Sequence, residues 1–560
     1  MPVVRIRTSC AELVAVDEDF LNLLTEANQA QLPLVLASHR DPGDNVRAVA
    51  RKARRLASGY VWPRSAYHQD PTLLGPLTWL VEQLAARQHE DGLYDIGNLH
   101  SPPDTAFVIQ DVCLLYVLLD ADVPIRKTLA DIIRKAAPGL ASGGVHTPNH
   151  RWEVSAALAR VNHLFPDRRY TTRIDDWLAE GIDATADGIY SERSSTYAAE
   201  VTNPSLLTIA RLYDRPELVE YVRRNLELTL YLLEPNGEVD TTASRRQDQK
   251  GIREVWWYLT QFRELALHTG DGRFTSVAKS IEARGAGELG DFLAEVLEQP
   301  SLAGILPDAT PAPSDFVQHF PSQASARVRR GSRTATIFGG TDFHQFPVIA
   351  SGLSTNPTFF KFRQGAAILD SVRLAPQFFG TGHFRADGLR RTGPRTFELQ
   401  QEVRAPYHLP LPPEQRTGGQ YALTPEGRFY SSMDFGHRPR QYRSLRTNVR
   451  VEEVADGFDL TFGFDGDETT YAIELCFRPG GRLSGVRELD ADGNYQLESG
   501  VGAYTVGDDR IEFGPGNGPA RVAMDPGEQY TYLGGNLTPD GLRVYLTGRT
   551  PGSQILRLRA

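Results

Sequence analysis

Two periods of hydrophobic patterning divide the chain. From about residue 10 to about 300, apolar residues recur at i, i+3, i+4 and i+7, as in PLTWLVEQLAARQ, AFVIQDVCLLYVLLD, EVSAALARVNHLF and LVEYVRRNLELTLYLLE. That spacing predicts about a dozen helices, separated by turn signals such as DADVP, FPDRR and EPNGE. Short connections make sequential helices antiparallel, and no fixed repeat is visible, so a closed helical toroid is expected over residues 1–305. After the Pro-rich stretch LPDATPAPSD the period changes to two. Runs such as RTATIFGG, TYAIELCFRPGGRL and SQILRLRA carry β-branched and aromatic residues between Gly, Asp and Asn turns. These predict a linker over 306–316 and an antiparallel β-sandwich over 317–560. The expected fold class is therefore α+β and multidomain.

Composition changes this picture only at its edges. A chain of 560 residues is too long for one hydrophobic core. The net charge of −10 argues against nucleic acid as a partner, although a local Arg cluster can still bind an anion. Cys10, Cys113 and Cys476 are odd in number, far apart and without a CxxC, so neither a disulfide framework nor a cysteine zinc motif is expected. The start lacks an apolar signal core, and no apolar run approaches the roughly 20 residues that span a bilayer. The expectation is a cytoplasmic protein with no membrane partner, either a monomer or a homo-oligomer.

Two polar clusters interrupt the helical half. In GGVHTPNHRWEVSAALARV, Thr147-Pro148 is a helix-start signal: Thr as N-cap, Pro as first helical residue. Asn149 and His150 then occupy the first turn, with Glu153 three residues on along the same face. A histidine there feels the positive end of the helix dipole, which favours the neutral imidazole. The second cluster is DGIYSERSSTYAAEVTNPSLL, with Glu192, Arg193, Ser194 and Tyr197 just before another helix. Tyr197 is either a core anchor or a general acid or base beside the Arg193 cation. Taken singly, each of these residues also fits an ordinary cap or packing role.

Together, PNHRWE followed some fifty residues later by DGIYSERSSTY resembles the heparinase II/III-like polysaccharide lyases, which include oligoalginate and heparin/heparan lyases. The resemblance covers most of the chain. It implies an incomplete α/α toroid followed by an antiparallel β-sandwich, and β-elimination on a uronic-acid glycan with no cofactor. In such a reaction a base removes the C5 proton, an acid protonates the oxygen leaving C4, and the substrate carboxylate must be neutralised. The resemblance makes Asn149 the carboxylate neutraliser and His150 its assistant or the base. It makes Tyr197 the acid or base, and Glu153 the residue that orients the histidine or borders the substrate. Arg193, with its planar fork, and Glu192 beside it are expected to contact the acidic glycan.

Other loops add candidate substrate contacts. EDGLYDIGNLHSPPDTAFVIQD carries Asn98 and His100 just before a Ser101 helix start, and EPNGEVDTTASRRQDQ carries Arg245 and Arg246. The chain departs from the family where relatives carry an HxHxD-like run. The corresponding segment, VIASGLSTNPTFFKFRQGAAILD, has no histidine, and Asp370 alone does not make a zinc site, so no metal of that kind is expected. His344 and His383 are the candidate catalytic substitutes, with His408 behind them. Two other readings compete. One is a glycoside hydrolase using a carboxylate pair from Asp104, Glu192, Glu200 and Asp240. The other is a non-catalytic glycan-binding protein.

Overall fold

The computed structural model describes residues 15–249, 251–285, 287–343, 355–421, 433–518 and 540–560. They fall into two compact units, a helical one over 15–241 and 251–313 and a β unit over 314–560 that also takes in the short segment 242–249.

The helical unit contains α1 (Glu18–Ser38), α2 (Val46–Val61), α3 (Pro71–Arg87), α4 (Pro102–Leu118), α5 (Ile125–Ser142), α6 (Pro148–Leu164) and α7 (Arg168–Ala179). Next, α8 (Ser195–Tyr197) runs through a π turn (Ala198–Thr202) into α9 (Asn203–Leu212). Then come α10 (Leu218–Leu232), α11 (Leu259–Thr269), α12 (Gly272–Arg284) and α13 (Leu293–Glu298). Side chains of Asp17, Asn45, Asp70, Ser101, Asp167 and Asp271 accept first-turn amide hydrogens, which is why the helices begin where they do.

Helices α2, α4, α6 and α9 pack side by side as an inner row, while α3, α5 and α7 back it. Burial follows that placement. α6 is buried at Asn149, His150, every position from Trp152 to Ala159, and Val161, and only Pro148 and His163 at its ends are exposed. Its Ser155, Ala156, Ala157 and Ala159 are small enough to let neighbours approach on all sides. α7, by contrast, buries only Tyr170 and Ile174. Among the described residues no helix is long and apolar enough to cross a membrane.

The β unit contains β1 (Asp315–Phe320), β2 (Ser325–Arg330), β3 (Arg333–Phe338), β4 (Phe360–Gln364), β5 (Ala367–Pro376), β6 (Arg390–Gly393), β7 (Thr396–His408) and β8 (Arg440–Val454). It continues with β9 (Gly457–Phe477), β10 (Arg482–Ser484), β11 (Arg487–Glu488), β12 (Asn494–Gln496), β13 (Gly502–Val506), β14 (Asp509–Gly514) and β15 (Leu542–Arg559). The long strands β9 and β15 pair with each other along their length, but their other neighbours change midway. β5 pairs with 471–477 of β9, and β8 pairs with 457–466. Gly466, at a φ of 112°, and a register shift between Thr550 and Gly552 mark the bend.

Two layers result. One runs β1-β2-β3-β4-β5-β9-β15-β12-β11 and the other β6-β7-β8-β9-β15-β14-β13-β10. Phe360 and Phe362 of β4 meet Phe458 of β9 at ring separations of 5.3 and 5.5 Å, across the sandwich rather than along a ladder. Among the described strands the pairing is antiparallel except for β12 against β15, which is parallel.

Candidate active site

The first turn of α6 departs from ordinary capping. Thr147 is the N-cap and Pro148 the first helical residue, but the Thr147 hydroxyl caps no backbone amide. It donates instead to Asn149 Oδ1 across 2.8 Å. That bond fixes the amide orientation. Asn149 is 2% exposed, and its buried Nδ2 has no hydrogen-bond partner among the described residues. An unmet buried donor costs about 1–3 kcal/mol, so its retention here needs a reason.

His150 follows, also buried, with its ring edge-on to Phe107 at 6.3 Å and to His146 at 4.8 Å. The guanidinium of Arg47 lies 3.7 Å from the centre of the Phe107 ring and is ion-paired to Asp104. Asn98 Nδ2 donates to the other oxygen of Asp104 across 3.4 Å. The N-terminal turns of α2, α4 and α6 therefore meet through Arg47, Asp104, Phe107 and His150. Three helix N-termini facing one place favour a negatively charged occupant.

Glu153, one turn further, is turned into the packing. Its Oε1 accepts from Gln110 Nε2 of α4 at 2.7 Å and its Oε2 from Ser205 of α9 at 3.0 Å. Burial pushes its carboxyl up to about 7, against the lowering effect of those two hydrogen bonds.

Asp183 brings the second polar cluster against the start of α6. It accepts from Trp152 Nε1 and from an Arg151 guanidinium nitrogen, both at 3.0 Å, and also from the Ser191 hydroxyl. The chain then turns through Arg193, at a φ of 52°, and Ser194 caps α8 by accepting from the Tyr197 amide at 3.0 Å. Glu192 is buried, while Arg193 and Tyr197 are half-buried. The turn carrying Tyr197 is clamped from behind. Tyr258 donates to the Ser195 carbonyl at 2.8 Å, and Gln261 Nε2 donates to the Ala199 carbonyl at 2.6 Å, inside the π turn. π turns of this kind recur at functional positions, because the wider turn frees backbone groups and re-aims side chains.

A cleft of about 350 Å³ opens at the turn preceding the π turn, and Tyr197, Asn149 and His150 are not among the residues that line it. Its lining includes Ser195, Thr196, Glu200, Arg253, Trp256 and Trp257. The two indoles are stacked at 3.9 Å, and Arg51 of α2 lies 5.9 Å from the Trp257 ring centre. The sequence reading missed this pair, although VWWY between helices is itself a signal for an aromatic surface. It also missed Arg47, Phe107 and Asp183, which carry no local motif.

The remaining candidates are placed otherwise. His100 is held by Asp91 at 2.7 Å and stacked on His89. Arg245, in the β unit, makes two hydrogen bonds to buried Asp342 at 2.6 and 2.8 Å. Arg246 contacts Gln247 at 3.4 Å, and its amide donates to Ser244. Asp370 is paired to Arg478 at 2.8 and 3.0 Å. His344 lies outside the described residues. His408 meets Phe435 edge-on at 4.7 Å. His383 is not presented on a loop surface: it is 2% exposed, and neither ring nitrogen has a hydrogen-bond partner among the described residues. Burial, with the Arg373 and Arg385 cations nearby, holds its imidazole down to about 2, so it is neutral.

No protein-family model matches the chain, and no curated protein matches it by sequence. Solved structures do resemble it. One is the chondroitin AC lyase of Streptomyces coelicolor A3 in complex with chondroitin sulphate, with a TM-score of 0.54 over 98% of this chain and 80% of that one, at 14% identity. This chain has the fold of solved polysaccharide lyases. A mutant heparan sulfate lyase from Pedobacter heparinus matches with a TM-score of 0.51 over 92% and 78% of the two chains, at 12% identity. A Paenibacillus xanthan lyase matches at 0.55 over 96% of this chain and 57% of its own length, again at 12% identity. The likeness is one of fold: helical unit first, β-sandwich second.

Proposed function

We propose that this protein is a lyase that cleaves a uronic-acid-containing oligosaccharide or polysaccharide by β-elimination. The observation that carries the reading is the Asn149 amide: buried, locked by Thr147, and left with an unmet donor at the positive end of α6. A substrate carboxylate is the acceptor that such a donor suits, and the same donor strengthens as the carboxylate gains enolate character on loss of the C5 proton. The solved neighbours that share the fold include a chondroitin lyase holding chondroitin sulphate, an acidic glycan.

In this proposal Asn149 Nδ2 binds the uronate carboxylate and His150 supports it. His150 or Tyr197 takes the C5 proton, the C4–O bond breaks, and the electron pair of the C5–H bond becomes the C4=C5 double bond. The Tyr197 hydroxyl returns a proton to the departing oxygen, which leaves as an alcohol. Trp256 and Trp257 offer a face on which a neighbouring sugar stacks. His383 receives no proton-transfer role, because an imidazole held near 2 is a poor base at neutral pH.

The test is incubation of the purified protein with uronate-containing glycans, followed by ultraviolet absorbance. Elimination yields a conjugated unsaturated uronate that absorbs, whereas hydrolysis by a carboxylate pair does not. Cleavage without that chromophore would overturn the lyase reading, and binding without any cleavage would point to a glycan-binding protein.

A further inference from the structure

We propose that the loop between α3 and α4 binds a divalent transition-metal ion of the zinc class, with His89, Asp95 and His100 as ligands. Each of the three offers one ligand atom, and these atoms all lie within 4.8 Å of one another. Tetrahedral zinc with bonds of about 2.0–2.2 Å sets donors roughly 3.3–3.6 Å apart, so side-chain rotation must close the widest pair by about 1 Å. The side chains are partly exposed, so small rotations close the set and the ion can enter from solvent.

The backbone beneath the cluster is already fixed. Gly92, at a φ of 86°, packs so tightly on α5 that a Cβ there would sit 2.0 Å from the Lys135 carbonyl oxygen. Gln88 Nε2 donates to the Gly92 and Ile132 carbonyls at 2.9 and 3.0 Å, and buried Tyr94 donates to the Leu84 carbonyl at 3.0 Å. The Ser101 amide donates to the Tyr94 carbonyl at 3.0 Å, closing the second turn. His100 adopts a φ of 46°, and its amide donates to Asp95 Oδ1 at 2.6 Å. Ligands held on such a frame lose little freedom when an ion arrives.

The side-chain chemistry selects the ion. His89 Nε2 lies 2.9 Å from Asp95 Oδ2. The His89 and His100 rings stack with centres 4.2 Å apart and planes 25° apart. Two imidazole nitrogens brought this close can share one cation. His100 Nδ1 lies 2.7 Å from Asp91 Oδ2, so a carboxylate sits behind the ring and fixes its tautomer, leaving the lone pair on Nε2. Imidazole nitrogens with one carboxylate suit zinc and its neighbours rather than calcium or magnesium, which prefer all-oxygen sets. A bound ion would brace the loop that also carries Asn98, whose amide reaches Asp104 at the start of α4.

The experiment uses the full chain, stripped with a chelator and titrated with zinc chloride by calorimetry, with far-ultraviolet circular dichroism to show that each variant is folded. One zinc per chain is expected. The double variant His89→Ala with His100→Ala should lose that event, and Asp91→Asn should weaken it by about 10–100-fold. His437→Ala, which removes an exposed histidine paired to Asp434 elsewhere, should leave it unchanged. Zinc bound equally by the folded double variant, or calcium bound where zinc is not, would overturn the assignment.

Discussion

The hydroxyl of Ser205 on α9 donates to Glu153 on α6 across 3.0 Å. The other oxygen of that carboxylate is held by Gln110 on α4, so a single buried side chain ties three adjacent inner helices. Glu153 thus serves the scaffold behind Asn149 and His150. Its burial and its partners explain both its raised pKa and the consequence for stability.

Burial pushes the Glu153 carboxyl up to about 7 in the folded chain, from an ordinary value of 4.5. Between those values the folded state keeps a proton that the unfolded state has released. Stability therefore falls as pH rises from about 4.5 to about 7, and the full penalty is present above 7. Replacing Glu153 with Gln should remove this slope. Relative to wild type, the variant should gain on the order of 2–3 kcal/mol on going from pH 5 to pH 8. Urea denaturation at the two pH values measures it, and an unchanged difference between the chains would refute the burial account.

Asn149→Ala should separate function from folding. The Thr147 hydrogen bond is lost, but so is a buried donor with no partner, and stability should stay within about 1 kcal/mol of wild type. The rate of unsaturated-product formation should fall by about 10²–10³-fold if the amide binds the developing charge. Equal rates in variant and wild type would remove Asn149 from the site.

Tyr197→Phe keeps the ring and deletes only the hydroxyl, while the Ser194 cap on its backbone amide remains. Turnover should drop by about 10²–10⁴-fold with glycan binding retained. A variant that turns over normally would show Tyr197 to be a packing residue.

His383 gives the opposite pH signature. Burial holds it down to about 2, below the ordinary imidazole value of 6.5, so the unfolded chain binds the extra proton between those limits. Stability is lost as pH falls below about 6.5, by up to about 1.4 kcal/mol per pH unit. His383→Phe, which fills the same buried space, should be more stable than wild type at pH 5 and differ little at pH 8. Parallel melting curves at both pH values would show that the imidazole is not kept neutral by burial.

The division into a helical and a β unit was legible because periods of 3.6 and 2 record directly which side chains face a core. The start of α6 was legible too: Pro148 cannot donate to a preceding carbonyl and therefore sits at the first helical position. Thr147 was misread in detail. A capping hydroxyl accepts a backbone amide hydrogen, whereas the Thr147 hydroxyl donates to Asn149 Oδ1 and so orients that side chain instead.

The amino-acid sequence by itself thus determined the kinds of element, their order and the two polar clusters, since these depend on torsions and spacings within a few residues. Tertiary structure alone decided the rest. It buried Glu153 between Gln110 and Ser205, which lie 43 and 52 residues away along the chain. It set Arg47 over Phe107 beside His150, and it opened a tryptophan-lined cleft against Ser195, Thr196 and Glu200. It also carried β9 through both layers of the sandwich. Such pairings form only when the chain closes on itself, so no local pattern announces them, and burial then sets the proton affinities on which any chemistry depends.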